Sequence, residues 1–254
     1  GLEYKRYENQ HAEIYTTETS DRAFEEEVML AGFASAPTKQ EGAGVVFDQA
    51  NETFTARYNH ETIALAFAIT EEAIEDNLYD RLAARYTRAL ARSMANTKQV
   101  KAANVLNNAQ NTAFTGGDGK TLINSAHPLA TGGTFSNVLA TAADLNETSL
   151  EQSLIDIQAF VDERGLKIAS QGVKMIIPKE LQFTAERLMK SPQRTATADN
   201  DINAIASMGM VPQGYRVNNF LTDTDAFFLL TDVPNGLKMF VRSPIKTAME
   251  GDFD

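Results

Sequence analysis

A long stretch without helix breakers sets the main constraint on how this chain folds. No glycine or proline occurs from Glu71 to Thr115. Thr70 is a favourable N-cap, and four acidic residues over 71–76 place negative charge at the positive end of the helix dipole. We predict a helix from about 71 to 109, which is ~58 Å long at ~1.5 Å per residue. Because a compact chain of this length has a diameter of ~46 Å, the helix requires an elongated subunit or a break near Asn96-Thr97.

The apolar residues of this predicted helix recur at every fourth position. The stripe therefore winds ~200° around the helix axis, as suits a helix that contacts different layers along its length. Its members are Ile74, Leu78, Leu82, Tyr86, Leu90 and Met94.

Four arginines lie on one side of the same helix. The spacing of Arg81, Arg85, Arg88 and Arg92 places them within an arc of ~60°. No acidic residue precedes any of them by four positions, and two pairs put like charges one turn apart, which is unfavourable. This arginine stripe therefore faces water, phosphate groups or acidic side chains from elsewhere. We favour the acidic front of the chain, from this subunit or a neighbouring one.

The net charge of −11 is concentrated at that front. Residues 1–80 carry 5 Lys and Arg against 17 Asp and Glu, whereas residues 81–254 are close to neutral. Such asymmetry indicates an interacting segment, with a solvated acidic surface as the alternative. The overall acidity also argues against a general nucleic-acid binder.

The composition excludes several other classes of protein. The chain has no Cys, which excludes a disulfide scaffold and a Cys nucleophile, and its 3 His leave little for a histidine-ligated metal. Its longest apolar run, Ile63 to Ile69, is far shorter than the roughly 20 residues that a membrane span needs.

The residues before the long helix predict an extended arm and a hairpin. After the arm, we predict a short helix from Ser20 to Ala31, because Phe24 and Val28 lie four apart and Gly32 follows. Residues 33–69 predict a long open hairpin with strand-like runs at 45–47 and 53–58. Two strands alone are barely stable in water, so a projecting hairpin implies another chain as its partner.

Residues 120–242 predict a mixed α/β unit in which helices flank a small sheet. Its helix faces and strand runs follow the usual periodicities. The predicted elements are a helix from the capping box at Thr148 to Gly165, a strand Val173–Ile177, a helix Lys179–Lys190, a short helix capped by Asp199 or Asn200, and a hairpin of Ala226–Thr231 with Leu237–Val241.

No motif predicts an active site, a cofactor or a metal. Gly119-Lys120-Thr121 lacks the earlier glycine and the strand–loop–helix context of a phosphate-binding loop. Asp199 to Asn203 is followed by neither the glycine nor the glutamate of a calcium loop. Ser125 and His127 have no nucleophile elbow around them, and we interpret His127 as a loop residue bonded to the backbone.

The order of these elements resembles the major capsid protein of tailed bacteriophages, which has the Hong Kong 97 fold. Ile69 to Tyr79 is similar to the start of that family's spine helix. Further strings resemble major head proteins related to the Mu-like head-subunit group, so that the resemblance covers nearly the whole chain. They are Ser125–Leu129, Asp162–Lys167, Leu181–Arg187, Thr197–Asn203, Leu221–Ala226 and Pro234–Lys238.

The resemblance implies an α+β fold of the Hong Kong 97 capsid type. It implies a structural, non-enzymatic subunit that self-assembles in the host bacterial cytoplasm into the icosahedral head of the virion. The head encloses double-stranded DNA without sequence-specific binding. The implied divisions are an N-terminal arm at 1–32, an E-loop at 33–68, a peripheral domain with the spine helix at 69–120, an axial domain at 121–242, and a return to the peripheral domain at 243–254 that ends earlier than is usual in the family.

The resemblance also implies partners. These are other copies of the chain, in hexamers and pentamers, together with a scaffolding protein, a portal and a decoration protein, and no membrane. Some relatives crosslink a lysine of the E-loop covalently, and Lys39 is the candidate here, with a solvated loop lysine as the alternative. The expected contact residues between subunits are Glu25, Glu26, Glu27, Lys39, Glu41, Phe47, Phe54 and Arg57, together with Arg81, Arg85, Arg88 and Arg92.

Two other readings of the sequence stay open. An encapsulin-like compartment shell would share the fold and assemble around a cargo protein. A soluble α/β enzyme would need a concave pocket that holds a group with a perturbed pKa.

Overall fold

The computed structural model describes residues 4–6, 8–70, 72, 75, 79–194 and 201–248, and mixes helices with short strands. The chain divides into two compact units, the first within 1–24, 59–104 and 237–254 and the second within 25–58 and 105–236. The helices are α1 (Tyr79–Asn107), α2 (Glu147–Gln158), α3 (Gln182–Lys190) and α4 (Ala204–Met208). The strands are β1 (Thr16–Thr19), β2 (Phe24–Ala31), β3 (Asn51–Asn59), β4 (His127–Pro128), β5 (Thr134–Phe135), β6 (Gly172–Ile177), β7 (Tyr215–Val217), β8 (Phe228–Thr231) and β9 (Lys238–Val241).

The long helix predicted from the sequence is present as α1, whose 29 residues continue through Asn96 and Thr97 without a break. Glu72 and Glu75 are helical as well, whereas Ile74 and Leu78 of the predicted apolar stripe lie outside the described residues. The apolar stripe does not define the buried face, because Tyr86 is 43% exposed. The buried positions are mostly small or polar instead: Ala95, Gln99, Ala102 and Ala103, joined by Leu106 near the end of the helix.

The small buried residues of α1 allow the N-terminal segment to pack closely in the first unit. The His11 backbone N–H donates to Gln99 Oε1 at 3.0 Å, and Gln99 Nε2 donates to the Glu8 carbonyl at 3.1 Å. The Tyr15 hydroxyl donates to the Ala102 carbonyl at 2.7 Å. Three polar contacts and the burial of Ile14 therefore fix the segment on the helix.

Strand β1 continues from this segment and pairs in parallel with β9 over four residues, from Thr16 with Lys238 to Thr19 with Val241. The predicted hairpin between Ala226–Thr231 and Leu237–Val241 is therefore wrong. Its first strand corresponds to β8, which belongs to a different sheet. Strand β9 thus pairs with a strand that is distant in sequence, although the turn residues before it favour a hairpin with β8.

The predicted helix from Ser20 to Ala31 is also wrong, because β2 occupies this range and pairs with β3. The predicted hairpin over 33–69 is shifted, since its strands are 24–31 and 51–59. Residues 32–50 form an irregular connection, in which 45–47 is not a strand. Cross-strand partners stabilise a strand where the local spacing favours a helix.

The core of the second unit lies between a three-stranded sheet and helices α2, α3 and α4. Strand β6 is central, parallel to β7 and antiparallel to β8. Its Met175 and Ile177 are fully buried and form one cluster with Leu150 and Leu154 of α2. The predictions for β6 and for the buried face of α2 are confirmed.

The helix boundaries of the second unit differ from the predictions because other residues supply the caps. Asn146 caps α2 by accepting from Ser149 N at 2.9 Å, so the predicted box at Thr148 is two residues late, and α2 ends well before Gly165. Pro178 precedes a 3-10 turn that leads into α3. Asn203 caps α4, whereas Asp199 and Asn200 lie outside the described residues. Among the described helices, none is long and apolar enough to cross a membrane.

Two leucine-sized positions on α2 test this core. Leu150 is fully buried and Ile155 is 60% exposed on the same helix. We expect Leu150→Ala to lower the free energy of unfolding by about 2–5 kcal/mol through the cavity it leaves. We expect Ile155→Ala, the matched control, to change it by less than about 0.5 kcal/mol in urea titrations. Equal losses in both variants would contradict the assigned core.

The buried ring of His11 makes the stability of the first unit depend on pH. Burial lowers the pKa of His11 below its usual 6.5, nearby Lys98 lowers it further, and Gln99 opposes the change. The unfolded chain then binds the proton more readily, so stability is full above about pH 6.5 and falls as the pH drops below it. We expect His11→Asn to remove part of the loss between pH 7.5 and 5.5 in urea titrations. His60→Gln, the control, keeps that loss, and identical pH slopes for wild type and His11→Asn would refute the assignment.

Candidate functional site

The hairpin formed by β2 and β3 brings several predicted contact residues together. Arg57 Nη2 and Nε lie 2.5 and 2.7 Å from Glu26 Oε1 across the two strands. The Tyr58 hydroxyl donates to Glu27 Oε2 at 3.2 Å, beside this pair. The sequence predicts that Glu26, Glu27 and Arg57 contact a neighbouring subunit, and all three also make bonds within one chain. The side chains of Arg57 and Glu26 nevertheless stay 56% and 38% exposed.

The connection over 32–50 carries the most exposed apolar surface of the hairpin. Phe47 is 93% exposed, and Val45 and Val46 are each more than two-thirds exposed. Lys39 and Glu41 are exposed in the same segment, whereas Phe54 on β3 is half-buried. Contiguous apolar exposure of this kind marks an interaction surface.

Within the second unit, a glycine lets a loop pack closely on the hairpin. A Cβ atom on Gly117 would lie 2.7 Å from the Thr55 carbonyl oxygen and 3.0 Å from the Ala56 nitrogen. Both contacts are to the backbone of β3, which cannot swing away as a side chain can. Residue 117 therefore has to be glycine for the loop and the strand to approach this closely.

The arginine stripe on α1 is exposed where its side chains are described. Arg85, Arg88 and Arg92 are all exposed, and Arg88 Nε donates to the Ala84 carbonyl at 3.1 Å. Within the described part of the chain, none of these three makes an ion pair with an acidic residue. The side chain of Arg81 lies outside the described residues.

His127 has a side-chain partner, and its predicted bond to the backbone is wrong. Its Nδ1 lies 2.6 Å from Asp118 Oδ2 in the glycine-rich loop, and its Nε2 is buried with no partner among the described residues. Burial raises the pKa of nearby Glu163, with the charges of Asp162 and Asp118 acting in the same direction. In the described ranges, no three His, Asp or Glu residues are grouped so as to hold a metal ion.

Sequence reasoning missed an ion pair between Asp48 and Arg164. Arg164 Nη2 donates to both carboxylate oxygens of Asp48 at 2.8 Å. The pair joins residues 116 positions apart, so no local pattern predicts it. The one available signal is the Asp162-Glu163-Arg164-Gly165 string, whose aspartate and glycine are typical of a tight turn.

A model of a known protein family matches most of this chain. The model of the phage capsid protein family matches residues 53–254. The chain belongs to this family of phage capsid proteins. It is a major capsid protein with a structural, non-enzymatic role in the virion capsid, and neither the compartment shell nor the soluble enzyme is favoured.

Three solved structures have a similar fold. The capsid of bacteriophage JBD30 matches with a TM-score of 0.62 and 12% identity, covering 84% of this chain and 91% of that chain. The JBD30 capsid decorated with minor capsid protein trimers matches at 0.60 and 12%, covering 82% and 89%. The JBD30 procapsid matches at 0.54 and 13%, covering 87% and 97%. At these identities the likeness shows the fold alone, and no curated protein matches this sequence.

The glycine contact with β3 yields a test of how the hairpin is held. We expect Gly117→Ala to lower the free energy of unfolding by about 1–3 kcal/mol, because its methyl group meets backbone atoms. Hydrogen exchange in β3 should rise in the same variant. Gly44→Ala serves as the control, since a Cβ there meets nothing within 4 Å. Unchanged stability and exchange in Gly117→Ala would contradict the anchoring role.

Proposed function

We propose that this chain has the Hong Kong 97 arrangement and assembles with copies of itself, as hexamers and pentamers, into an icosahedral shell around double-stranded DNA. Family membership and the order of arm, hairpin, long helix and mixed unit support the proposal. The proposed divisions are the arm at 1–32, the E-loop at 33–68, the peripheral domain at 69–120, the axial domain at 121–242 and the return at 243–254. The exposed apolar segment of the hairpin is the observation that carries the proposal.

The hairpin suits a contact between copies for a physical reason. Phe47 and its two preceding valines expose apolar surface that one chain leaves in water. Burial of apolar area contributes about 25 cal/mol per Å², and repeated contacts of one kind close into rings. Each subunit can thus add interface without a larger core. Lys39 lies in the same segment and stays the candidate for a covalent crosslink.

The arginine stripe is the proposed acceptor for acidic residues of a neighbouring copy. Its exposed guanidinium groups carry positive charge, and residues 1–80 of each copy hold 17 Asp and Glu. Glu25, Glu26, Glu27 and Glu41 are the proposed donors of negative charge. Complementary charge directs which surfaces meet and in what register.

The further partners rest on resemblance. The JBD30 relatives form a procapsid and a capsid decorated with minor capsid protein trimers. By the same logic this chain assembles first with a scaffolding protein and a portal and later accepts a decoration protein. Electron microscopy of the purified protein tests the central proposal. Closed shells of tens of nanometres are expected, whereas a protein that stays monomeric under all assembly conditions would overturn it.

Charge reversal in the middle of the stripe tests the proposed contact. We expect Arg88→Glu to raise the protein concentration needed for assembly about tenfold, because attraction becomes repulsion. Lys179→Glu, on an exposed turn before α3, is the control and should leave that concentration unchanged. Light scattering at low and high salt measures both, and the wild-type threshold should rise with salt as charges are screened.

Two outcomes would contradict this contact. If Arg88→Glu assembles normally, the arginine stripe is not part of the interface between copies. Normal shells that package less DNA would assign the stripe to phosphate groups of the genome instead of acids of a second copy.

A further inference from the structure

Arg164 is held in place by a tight turn. Asp162 Oδ1 accepts from the backbone nitrogens of Arg164 at 2.9 Å and of Leu166 at 2.8 Å. Gly165 has a φ of +82°, which completes the turn. Val161 and Lys167, which flank the turn, form an antiparallel β-bridge. The Arg164 side chain is only 16% exposed. The turn therefore holds the backbone at Arg164 in a fixed conformation, and the largely buried side chain, with its guanidinium group, extends from it.

Asp48 joins this guanidinium group to both ends of the exposed connection. Besides the two bonds from Arg164, Asp48 Oδ2 accepts from the Ala34 nitrogen at 2.7 Å and Oδ1 from the Gln49 nitrogen at 2.9 Å. The Ala34 bond, the Arg164 bond and the Gln49 bond all lower the pKa of Asp48. The carboxylate is thus ionised at neutral pH and closes the segment from 34 to 49 into a loop.

The rest of this loop has little else to fix it. One backbone bond, from Ala43 N to the Gln40 carbonyl at 3.1 Å, forms a turn near its middle. Among the described residues, no other side chain between 32 and 50 makes a hydrogen bond or an ion pair. The orientation of Phe47 and the preceding valines therefore depends on the carboxylate next to them in sequence.

We propose that Asp48 is a positioning residue for assembly, which clamps the 34–49 loop to Arg164 so that Val45, Val46 and Phe47 meet a second copy of the chain already ordered. This inference rests on the proposed function. Ordering a free backbone costs conformational entropy, and a loop ordered in advance does not incur that cost on binding. The occupant is a second copy because the chain belongs to a capsid family and the loop exposes apolar surface next to the acids of the hairpin.

Asp48→Asn is the direct test, because it keeps the shape and removes the charge. We expect faster hydrogen exchange over 34–49 in the isolated subunit, an unchanged urea midpoint, and an assembly threshold raised about tenfold. Glu52→Gln is the matched control: it removes an exposed carboxylate four residues away that makes no hydrogen bond among the described residues. That control should match wild type in all three measurements.

Arg164→Gln provides a second route to the same outcome if Asp48→Asn folds poorly. It should raise loop exchange and the assembly threshold as much as Asp48→Asn, and the double variant should add little, as for two members of one interaction. An assembly threshold equal to or below that of wild type, with loop exchange raised, would overturn the inference. If wild-type protein forms no shell at all, the proposed function fails, while loop exchange still reports whether the clamp exists.

Discussion

Continuous backbone hydrogen bonding along α1 is the constraint on which the rest of the structure depends. A 29-residue helix needs a sequence without breakers, and it gains most of its stability from the surface it buries. Among the described residues, that surface consists of Ala95, Gln99, Ala102, Ala103 and Leu106. Small side chains let the segment around His11 and Tyr15 approach until backbone and side-chain groups bond directly. The arm is thereby fixed by close approach and specific hydrogen bonds as well as by apolar burial.

The hairpin carries paired charged residues on its strands and exposed apolar residues on its connection. Cross-strand bonds from Arg57 and Tyr58 satisfy Glu26 and Glu27 inside one chain, and the backbone of β3 rests on Gly117. The apolar residues are left on the 32–50 connection. This separation suits a capsid subunit, because the charges of the strands are paired within one chain while the apolar residues of the connection stay exposed.

The parts of the fold that depend on local sequence patterns could be predicted. The breaker-free run predicted α1, and spacing of apolar residues predicted β6 and the buried face of α2. What failed depends on distant partners: β2 has helical spacing and becomes a strand on β3, and β9 follows a turn signal yet pairs with β1. The site shows the same limit. The arginine stripe follows from the sequence, whereas the exposure of Phe47 and the bond between Asp48 and Arg164 are seen only once the chain has folded.

The parallel pairing of β1 with β9 has a consequence for timing. Thr16 to Thr19 leave the ribosome long before their partners, Lys238 to Val241. The first unit therefore cannot close on a growing chain, because contacts between distant segments form late. The segment that carries β1 therefore stays without its strand partner until residues 238–241 have been made. Any contact that needs a closed first unit is thereby delayed until both strands of this pair exist, which sets a lower limit on when a subunit can present that unit.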